Sequence, residues 1–254
     1  MTPLVVATWN VWGGNAPGTY TRDRGISRGA IPHSSAAREL DPRRTWQRRR
    51  PLIVDALRAA NADLVALQES TREEGRSSCA SEIAAELDFA CVEDDHPRGL
   101  AVLSRWPIRS TGSLALPAAT LDYPSPLLVE LTHATRQLSC VVLHLPLERF
   151  GDRMPFVTEL ARRLTHLPRP LVVCGDLNAA PDDPHIAALL AAGLRDASAD
   201  VGPTMPNPSP VVRLDYVLAS SDLVVRAAWH LGEQPETNGF LASDHLGVAV
   251  ALEL

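Results

Sequence analysis

Apolar and polar positions along this chain follow two periods, which predict strands and helices in mixed order. Short runs that are wholly apolar, or in which apolar and polar residues alternate, predict strands. Stretches with apolar residues three and four positions apart predict amphipathic helices. The predicted strands are Leu4–Val11, Leu64–Gln68, Leu100–Leu103, Leu127–Thr132, Leu138–Leu145, Leu171–Cys174, Val211–Ala219, Leu223–Trp229 and Leu246–Leu252. The predicted helices are Thr45–Ala60, Ser78–Leu87, Phe156–Leu167 and a helix that begins after Asp182-Asp183 and ends near Ala192.

The order of these elements indicates the class of fold. Some predicted strands are apolar on both faces, others alternate, and helices are interspersed among them. That combination predicts an α/β fold in which two packed sheets carry helices on their outer sides. No linker or repeat divides the sequence, so residues 1–254 are expected to form a single domain. Pro51 is expected either to kink the first helix or to start a new one.

A long polar segment separates the first predicted strand from the first predicted helix. Asn15–Asp41 is rich in Gly, Pro, Ser and Arg, and loops of this length are usually functional or disordered. Between Arg22 and Arg50 there are nine Arg and three acidic residues, a local net charge of +6. One interpretation of residues 14–50 is an Arg-rich loop or lid, because Arg can bind phosphate through two hydrogen bonds. The other is a solvated loop followed by an exposed helix face. The candidate substrate-binding residues of the lid are Arg43, Arg44 and Arg48.

The overall composition narrows the class of partner. Hydrophobic residues make up 45% of the 254, and the formal net charge of -6 argues against a generally basic nucleic-acid binder. No apolar run is long enough to span a bilayer and no signal peptide is recognised, so no membrane association is expected. The four cysteines form no C-x-x-C pair, so neither a zinc knuckle nor a redox motif is indicated. Because no signal peptide is recognised, we expect reduced thiols and a cytoplasmic protein. No obligate protein partner is evident.

Polar residues recur where the predicted apolar strands end. A carboxylate at a strand end is held by a rigid element and can still face a cleft, and several such residues converge where strand ends meet. An oxygen-rich set of this kind suits Mg²⁺ or Mn²⁺ better than Zn²⁺, which prefers His and Cys. The residues at these positions are Asn10, Glu69, His144, Asp176, Asn178, Asp215, Asp244 and His245.

Seven short motifs, most of them containing these residues, occur in a fixed order along the chain. They are Thr8-Trp9-Asn10-Val11, Gln68-Glu69, Gly99–Ser104, Val141–Leu145, Gly175-Asp176-Leu177-Asn178, Arg213-Leu214-Asp215-Tyr216 and Ser243-Asp244-His245. Each motif is weak alone, but together they resemble the signature of the endonuclease/exonuclease/phosphatase superfamily, the deoxyribonuclease I-like proteins. Gly175–Pro181 resembles the broad bacterial phosphatase-like branch, whose substrates vary.

The resemblance implies a fold and a cofactor. The fold would be an α/β four-layer sandwich of two mixed β-sheets flanked by helices. The cofactor would be Mg²⁺ or Mn²⁺, with Glu69 as the main ligand and Asp244 as a further ligand. Asn10, beside Glu69, would either orient its carboxylate or touch the ion. Many DNA-repair members have an acidic residue two positions after the Asn of the first strand. Trp12 occupies that position here, which leaves the number of metal ions open.

The resemblance also implies roles in catalysis. Asp176 would act as the general base or position the attacking water, and Asn178 would hold the scissile phosphate. His245, oriented by Asp215, would stabilise charge in the transition state, and His144 would contact a non-bridging phosphate oxygen. A metal ion would neutralise the phosphate and stabilise the leaving oxygen.

Three functions follow from these residues, in decreasing order of support. The first is a Mg²⁺-dependent phosphodiesterase or nuclease, in which water attacks phosphorus in line. The second is a phosphomonoesterase or phospholipase-type enzyme acting on a small phosphorylated metabolite or an inositol phosphate. The third is a catalytically inactive binding module, which the presence of Glu69, Asp176 and His245 disfavours. Taken alone, Asp176 would more often be a turn residue, and His144 would more often be a surface histidine or one whose hydrogen bonds are met within the protein. The occurrence of all these residues together favours catalysis.

Overall fold

The computed structural model describes residues 3–12, 42–72, 77–96, 99–114, 116, 124–133, 136–147, 152–233 and 241–253. These residues form two six-stranded sheets and four helices. The first sheet consists of β1 (Leu4–Asn10), β2 (Leu64–Gln68), β3 (Ala90–Glu93), β4 (Ala101–Ser104), β11 (Val224–Leu231) and β12 (Gly247–Glu253). The second consists of β5 (Ile108–Ser113), β6 (Leu127–His133), β7 (Arg136–His144), β8 (Leu171–Asp176), β9 (Leu194–Asp196) and β10 (Asp215–Ser220). The helices are α1 (Pro42–Ala59), α2 (Cys79–Leu87), α3 (Met154–Leu164) and α4 (Pro184–Leu190).

The two sheets share one pattern of strand pairing. Their strand orders are β11-β12-β1-β2-β4-β3 and β5-β6-β7-β8-β10-β9. In each sheet the two central strands, β1 with β2 and β7 with β8, are parallel, and every other pairing is antiparallel. The parallel pairs place Asn10 beside Gln68 and His144 beside Asp176, at the carboxyl ends of the strands. Each sheet therefore presents polar residues at the end of its central pair.

Three apolar clusters hold four layers together. Alternate residues of a strand face opposite sides of its sheet, so Val6 packs between the sheets whereas Val5 packs against helices. The cluster between the sheets includes Val6, Val102, Cys140 and Val217. A second cluster joins α1 and α2 to the first sheet, and a third joins α3 and α4 to the second. The layer order of helices, sheet, sheet and helices agrees with the expected sandwich.

Pro51 lies inside α1 and does not interrupt it. Proline has no backbone N–H, so the carbonyl of Gln47, four residues earlier, loses its helical partner. Both residues are exposed, which leaves that carbonyl on the solvated face of the helix. The expectation that Pro51 starts a new helix was therefore wrong, and the expected kink stays a prediction. The helix also begins at Pro42, three residues before the predicted start.

The strand predictions failed at the edges of the sheets. β3, β5 and β9, which the apolar pattern did not predict, are all edge strands. Edge strands have one neighbour and more exposed positions, so their sequences are short or polar. The strand predicted to start at Val211 begins only at Asp215; Val211 is 62% exposed, and Val212 forms an isolated bridge with Met205.

The structure also bears on the predictions for the Arg-rich segment, for membrane spans and for the cysteines. The predicted loop Asn15–Asp41 lies outside the described residues, and the last part of the 14–50 segment is helical because α1 begins at Pro42. In the part of the chain that the structure describes, no helix combines the length and hydropathy needed to cross a bilayer. Cys79, Cys91, Cys140 and Cys174 are free thiols.

Candidate active site

Side chains from both sheets meet at the carboxyl ends of the central strands. Asn10 ends β1, and its Nδ2 lies 3.3 Å from Oε1 of Glu69 and 3.1 Å from Oδ2 of Asp176. Glu69 follows β2 of the first sheet, whereas Asp176 ends β8 of the second. One buried amide therefore links a carboxylate from each sheet.

The orientation of the Asn10 amide is fixed by its neighbours. Its Oδ1 accepts a hydrogen bond from the backbone N–H of Trp12 at 3.1 Å, so its Nδ2 must be the atom that faces Glu69 and Asp176. In this rotamer Asn10 donates to Glu69 and orients its carboxylate. Of the two roles predicted for Asn10 near a metal ion, this orientation favours the orienting role.

Asp176 is the centre of the polar cluster and is 1% exposed. Its Oδ2 lies 3.4 Å from Nε2 of His144 and 3.8 Å from Nε2 of His245, and its Oδ1 accepts from the backbone N–H of Asn178 at 2.9 Å. Burial alone would raise the pKa of Asp176, but the charge of His245 and the hydrogen bonds from His144 and Asn10 hold that pKa well below its usual range. Asp176 is therefore ionised throughout the physiological range.

His245 is held between two carboxylates. Its Nδ1 lies 2.8 Å from Oδ2 of Asp215, which also accepts from Oγ1 of Thr204 at 2.6 Å. Burial lowers the pKa of His245, but the negative charges of Asp215 and Asp176 outweigh that effect and raise it well above its usual value. The imidazolium form directs its remaining N–H, on Nε2, toward Asp176.

Asp244 lies in a turn that is fixed on several sides. Ser243 Oγ donates to the carbonyl of Asn10 at 2.6 Å and lies 3.3 Å from Oδ1 of Asp244. Asn207 donates its backbone N–H to the carbonyl of Asp244 at 2.7 Å and its Nδ2 to the carbonyl of Ser243 at 3.1 Å. Burial raises the pKa of Asp244 to about 6, and the negative charge of Glu69 adds to this effect. A cation between these two carboxylates would remove that repulsion.

Two site residues have left-handed backbone conformations, which are uncommon for residues other than glycine. Glu69 has φ 56° and Asn178 has φ 45°, both in the left-handed region. The Nδ2 of Asn178 donates to the carbonyl of Leu145 at 2.8 Å, which fixes the side chain beside the end of β7. Strained residues persist where their surroundings hold them, and such residues cluster at functional sites.

Among the described residues, one group of three side chains has possible metal-ligand atoms close together. Ligand atoms of Asp176, Asp215 and His245 lie within 4.8 Å of one another. Oδ2 of Asp215 is already bonded to His245 and to Thr204, and a protonated imidazole has no lone pair for a metal ion. The donor chemistry therefore suits a hard cation better at Glu69 and Asp244, where both side chains are carboxylates.

The structure brings together eight of the eleven predicted site residues. The eight are Asn10, Glu69, His144, Asp176, Asn178, Asp215, Asp244 and His245. The side chains of Arg43 and Arg44 lie outside the described residues. Arg48 is exposed on α1, so its contact with substrate stays a prediction.

Sequence reasoning missed five residues that support the site. Arg49, Arg153, Trp9, Thr204 and Asn207 are all buried and hydrogen-bonded to the loops or side chains of the cluster. The two arginines gave no sequence signal, because a charged residue is expected to face solvent. Trp9 was inside a quoted motif, but its role, an Nε1–H donation to the carbonyl of His245 at 3.1 Å, requires the fold.

Residues 7–245 match the model of the Endonuclease/Exonuclease/phosphatase family. The chain belongs to this family. Members of the endonuclease/exonuclease/phosphatase family are phosphoester hydrolases, which is the general class of this protein. None of the curated proteins matches the chain as a relative.

Solved structures with the fold of the endonuclease/exonuclease/phosphatase family resemble the protein over nearly its whole length. A family member from Leptotrichia buccalis C-1013-b has a TM-score of 0.72 at 14% identity, covering 99% of this chain and 100% of that one. A member from Beutenbergia cavernae DSM 12333 has a TM-score of 0.68 at 22% identity, with coverages of 100% and 72%. D. rerio TDP2, complexed with a single-strand DNA product, has a TM-score of 0.72 at 15% identity, with coverages of 99% and 99%. The predicted deoxyribonuclease I-like sandwich is thereby confirmed.

Proposed function

We propose that the protein is a divalent-metal-dependent phosphodiesterase that acts on a nucleic-acid strand. The observation that carries this proposal is the ionised Asp176 facing a protonated His245 at 3.8 Å, with Asn10 linking Asp176 to Glu69. A negative acceptor and a positive donor that lie side by side can orient a water molecule and bind an anionic phosphate oxygen at one place.

Glu69 and Asp244 are the proposed ligands of Mg²⁺ or Mn²⁺, and Asn10 orients Glu69. When bound, such an ion neutralises phosphate charge and stabilises the leaving oxygen. The raised pKa of Asp244 supports this assignment, because two partly buried carboxylates that repel each other favour a cation.

Asp176 is proposed to orient the attacking water. Its pKa lies far below neutral pH, so it is a weak base but a permanent hydrogen-bond acceptor. Its Oδ1 is occupied by the backbone N–H of Asn178, and its Oδ2 is surrounded by Asn10, His144 and His245. Of the two roles predicted for Asp176, this environment favours positioning the water over removing its proton.

Three donors are proposed to bind the phosphate oxygens. His245 carries a proton on Nε2 because Asp215 holds its other nitrogen. The Nε2 of His144 lies 3.4 Å from the same Asp176 oxygen that His245 approaches, and Asn178 is fixed after β8 by its hydrogen bond to Leu145. Fixed donors of this kind stabilise the charge that develops on phosphorus oxygens without reorganising.

A strand of nucleic acid is favoured over a small phosphorylated metabolite by two observations. The segment before and within α1 is strongly basic although the chain is acidic overall. A protein of the same fold, TDP2, has been seen with a single-strand DNA product. The single-domain organisation, the cytoplasmic location and the absence of an obligate protein partner stay predictions.

The test is hydrolysis of a substrate panel with Mg²⁺ or Mn²⁺ by the wild type and two variants. The panel holds single- and double-stranded DNA, RNA, a generic phosphodiester, nucleotides and inositol phosphates. Asp176→Asn removes the proposed water-orienting charge and should lower turnover by roughly 10²-fold or more. Asp63→Asn is the matched control, because Asp63 is a 9% exposed Asp that binds the N–H of Val5 at the opposite end of the first sheet.

The outcomes separate the proposed activities. Metal-dependent cleavage of DNA or RNA, lost in Asp176→Asn and kept in Asp63→Asn, supports the nuclease. Turnover of only nucleotides or inositol phosphates replaces the nuclease with the small-molecule enzyme. A wild type and an Asp176→Asn variant that are equally inert on the whole panel would contradict both, and leave the binding module.

A further inference from the structure

Arg49 is a buried cation in the middle of α1. Its side chain is 1% exposed and its guanidinium reaches out of the helix toward the site. Nη1 donates to the carbonyls of Val11 at 2.9 Å and Ala242 at 2.8 Å, and Nη2 donates to the carbonyl of Trp12 at 2.8 Å. Three backbone acceptors from two separate loops therefore converge on one side chain.

Two indole rings enclose the same guanidinium. The Cζ of Arg49 lies 5.3 Å from the ring centroid of Trp12 and 5.5 Å from that of Trp46. Rings at this distance stabilise a cation that has lost its water. Burial lowers the pKa of Arg49 to about 10, and the negative charges of Asp244 and Glu69 oppose that effect, so the group stays charged at neutral pH.

The two loops that Arg49 joins are those that place the proposed metal-binding side chains. Val11 and Trp12 directly follow Asn10, and the N–H of Trp12 is the donor that fixes the Asn10 amide. Ala242 immediately precedes the Ser243–Asp244 turn. Arg49 binds both loops through their backbone carbonyls, so it acts on Asn10 and Asp244 through the backbone.

The Trp12 backbone needs such support. Trp12 has φ 46°, a left-handed conformation that is costly for a bulky residue. Its carbonyl and that of Val11 both accept from Arg49, which holds the chain in this turn. A lysine could supply the charge, but a single ammonium on a flexible stem cannot match the planar array of donors.

We propose that Arg49 is a positioning residue that sets the affinity of the site for a divalent cation. Arg49 holds the turn after Asn10 at a fixed distance from the turn that contains Asp244. Asn10 orients Glu69, so that Glu69 and Asp244 face a common point. This inference rests on the proposed function, because it requires a cation between Glu69 and Asp244.

The first test measures Mn²⁺ binding by calorimetry, without substrate, for the wild type, Arg49→Ala and Arg49→Lys. Removing a residue that orients metal ligands typically weakens binding by roughly 10- to 100-fold, and that is the loss expected for Arg49→Ala. Arg49→Lys keeps the charge and the helix, and should fall between the other two. Arg50→Ala is the matched control: Arg50 is the next residue of α1 and pairs with Glu82 and Glu86 of α2. It should bind Mn²⁺ as the wild type does.

Chemical rescue separates positioning from general destabilisation. Arg49→Ala leaves a cavity lined by three carbonyls and two indoles, which suits free guanidinium. Millimolar guanidinium should restore Mn²⁺ affinity to Arg49→Ala, whereas methylammonium should not, and neither should change Arg50→Ala. In turnover, saturating Mn²⁺ should recover most of the kcat of Arg49→Lys, so that the loss appears in the Mn²⁺ requirement.

Each outcome bears on a different claim. A wild type that binds no Mn²⁺ overturns the proposed metal site, and the role of Arg49 with it. If the wild type binds Mn²⁺ and Arg49→Lys binds it with equal affinity, the proposed function stands and only the role of Arg49 is overturned. If Arg49→Ala does not fold, the comparison of Arg49→Lys with Arg50→Ala decides the point.

Discussion

The Nδ1 of His245 lies 2.8 Å from Oδ2 of Asp215, and both side chains are enclosed by protein, at 5% and 0% exposure. Thr204 donates to the same Asp215 oxygen at 2.6 Å, so the carboxylate cannot turn away from the imidazole. The charge on His245 is consequently a property of its partners, since burial alone would lower its pKa. The proposed phosphate donor, His245, thus depends on Asp215, which lies behind it and away from the proposed phosphate.

Asp215→Asn should lower the pKa of His245, because it removes the negative charge that raises it. The protonated form is then lost at a lower pH, so the alkaline fall in kcat/KM should move toward neutral pH. At neutral pH we expect turnover to drop by about 10²-fold. The check is kcat/KM measured from pH 5 to pH 10, with Asp63→Asn as the control. An unchanged alkaline limb in Asp215→Asn would show that His245 is not the titrating donor.

A second buried arginine supports the phosphate side of the site. Arg153, 2% exposed at the start of α3, donates Nη1 to the carbonyls of Pro146 at 3.0 Å and Asn178 at 2.9 Å. Arg153→Lys should therefore displace Asn178 and lower kcat by roughly 10-fold or more, with the Mn²⁺ affinity unchanged. Parallel measurement of kcat and of Mn²⁺ binding checks this, with the exposed Arg162→Lys on the same helix as the control. A fall in Mn²⁺ affinity as large as that of Arg49→Ala would refute the separation.

Gly175 lets the parallel strands β7 and β8 approach each other at the site. A Cβ there would lie 1.8 Å from the carbonyl oxygen of Leu143, its register partner. Gly175→Ala should separate His144 from Asp176 and destabilise the fold by about 1–3 kcal/mol or more. Gly112→Ala is the matched control, because a Cβ there meets nothing within 4 Å. Denaturant unfolding of both variants provides the comparison, and equal stabilities would contradict the proposed crowding.

Asp94 offers a pH-dependent test of stability away from the site. Its Oδ1 accepts from the N–H groups of His96 at 3.2 Å and Leu100 at 3.0 Å, and burial raises its pKa to about 6. The unfolded value lies near 4, so ionisation disfavours the folded state increasingly as pH rises from about 4 to about 6. Asp94→Asn keeps an acceptor and removes the charge. It should stabilise the protein at pH 8 by on the order of 1 kcal/mol, after allowing for solvent screening.

Thermal unfolding at two pH values checks the sign of this effect. The melting temperature of Asp94→Asn should exceed that of the wild type by about 2–4 °C at pH 8. At pH 4 the two proteins should melt together, because Asp94 is then protonated in the folded wild type. A difference that is equal at both values would mean that the carboxyl charge is not its cause.

The sequence predicted the parts of the fold that burial determines. Central strands such as β8, which is apolar from Leu171 to Cys174, have an unambiguous pattern. The edge strand β5 is Ile-Arg-Ser-Thr-Gly-Ser and mostly exposed, and only its pairing with β6 makes it a strand. The same distinction holds at the site. Asp176 and Glu69 could be found because strand-end motifs carry them, whereas Arg49 functions through carbonyls that only the folded chain brings together.

The arrangement of two parallel strand pairs has a consequence for how the protein loses activity. Glu69 and Asp244 lie next to strands of the first sheet. Asp176, Asn178 and His144 lie at the ends of strands of the second, so neither sheet carries all of the proposed catalytic residues. A ligand that contacts both groups would join the sheets directly, and its binding free energy would add to that of their docking. Hydrolysis should therefore cease as soon as the seam between the sheets opens, while each sheet still keeps its own hydrogen bonds. Loss of turnover in this protein therefore reports the separation of its two sheets.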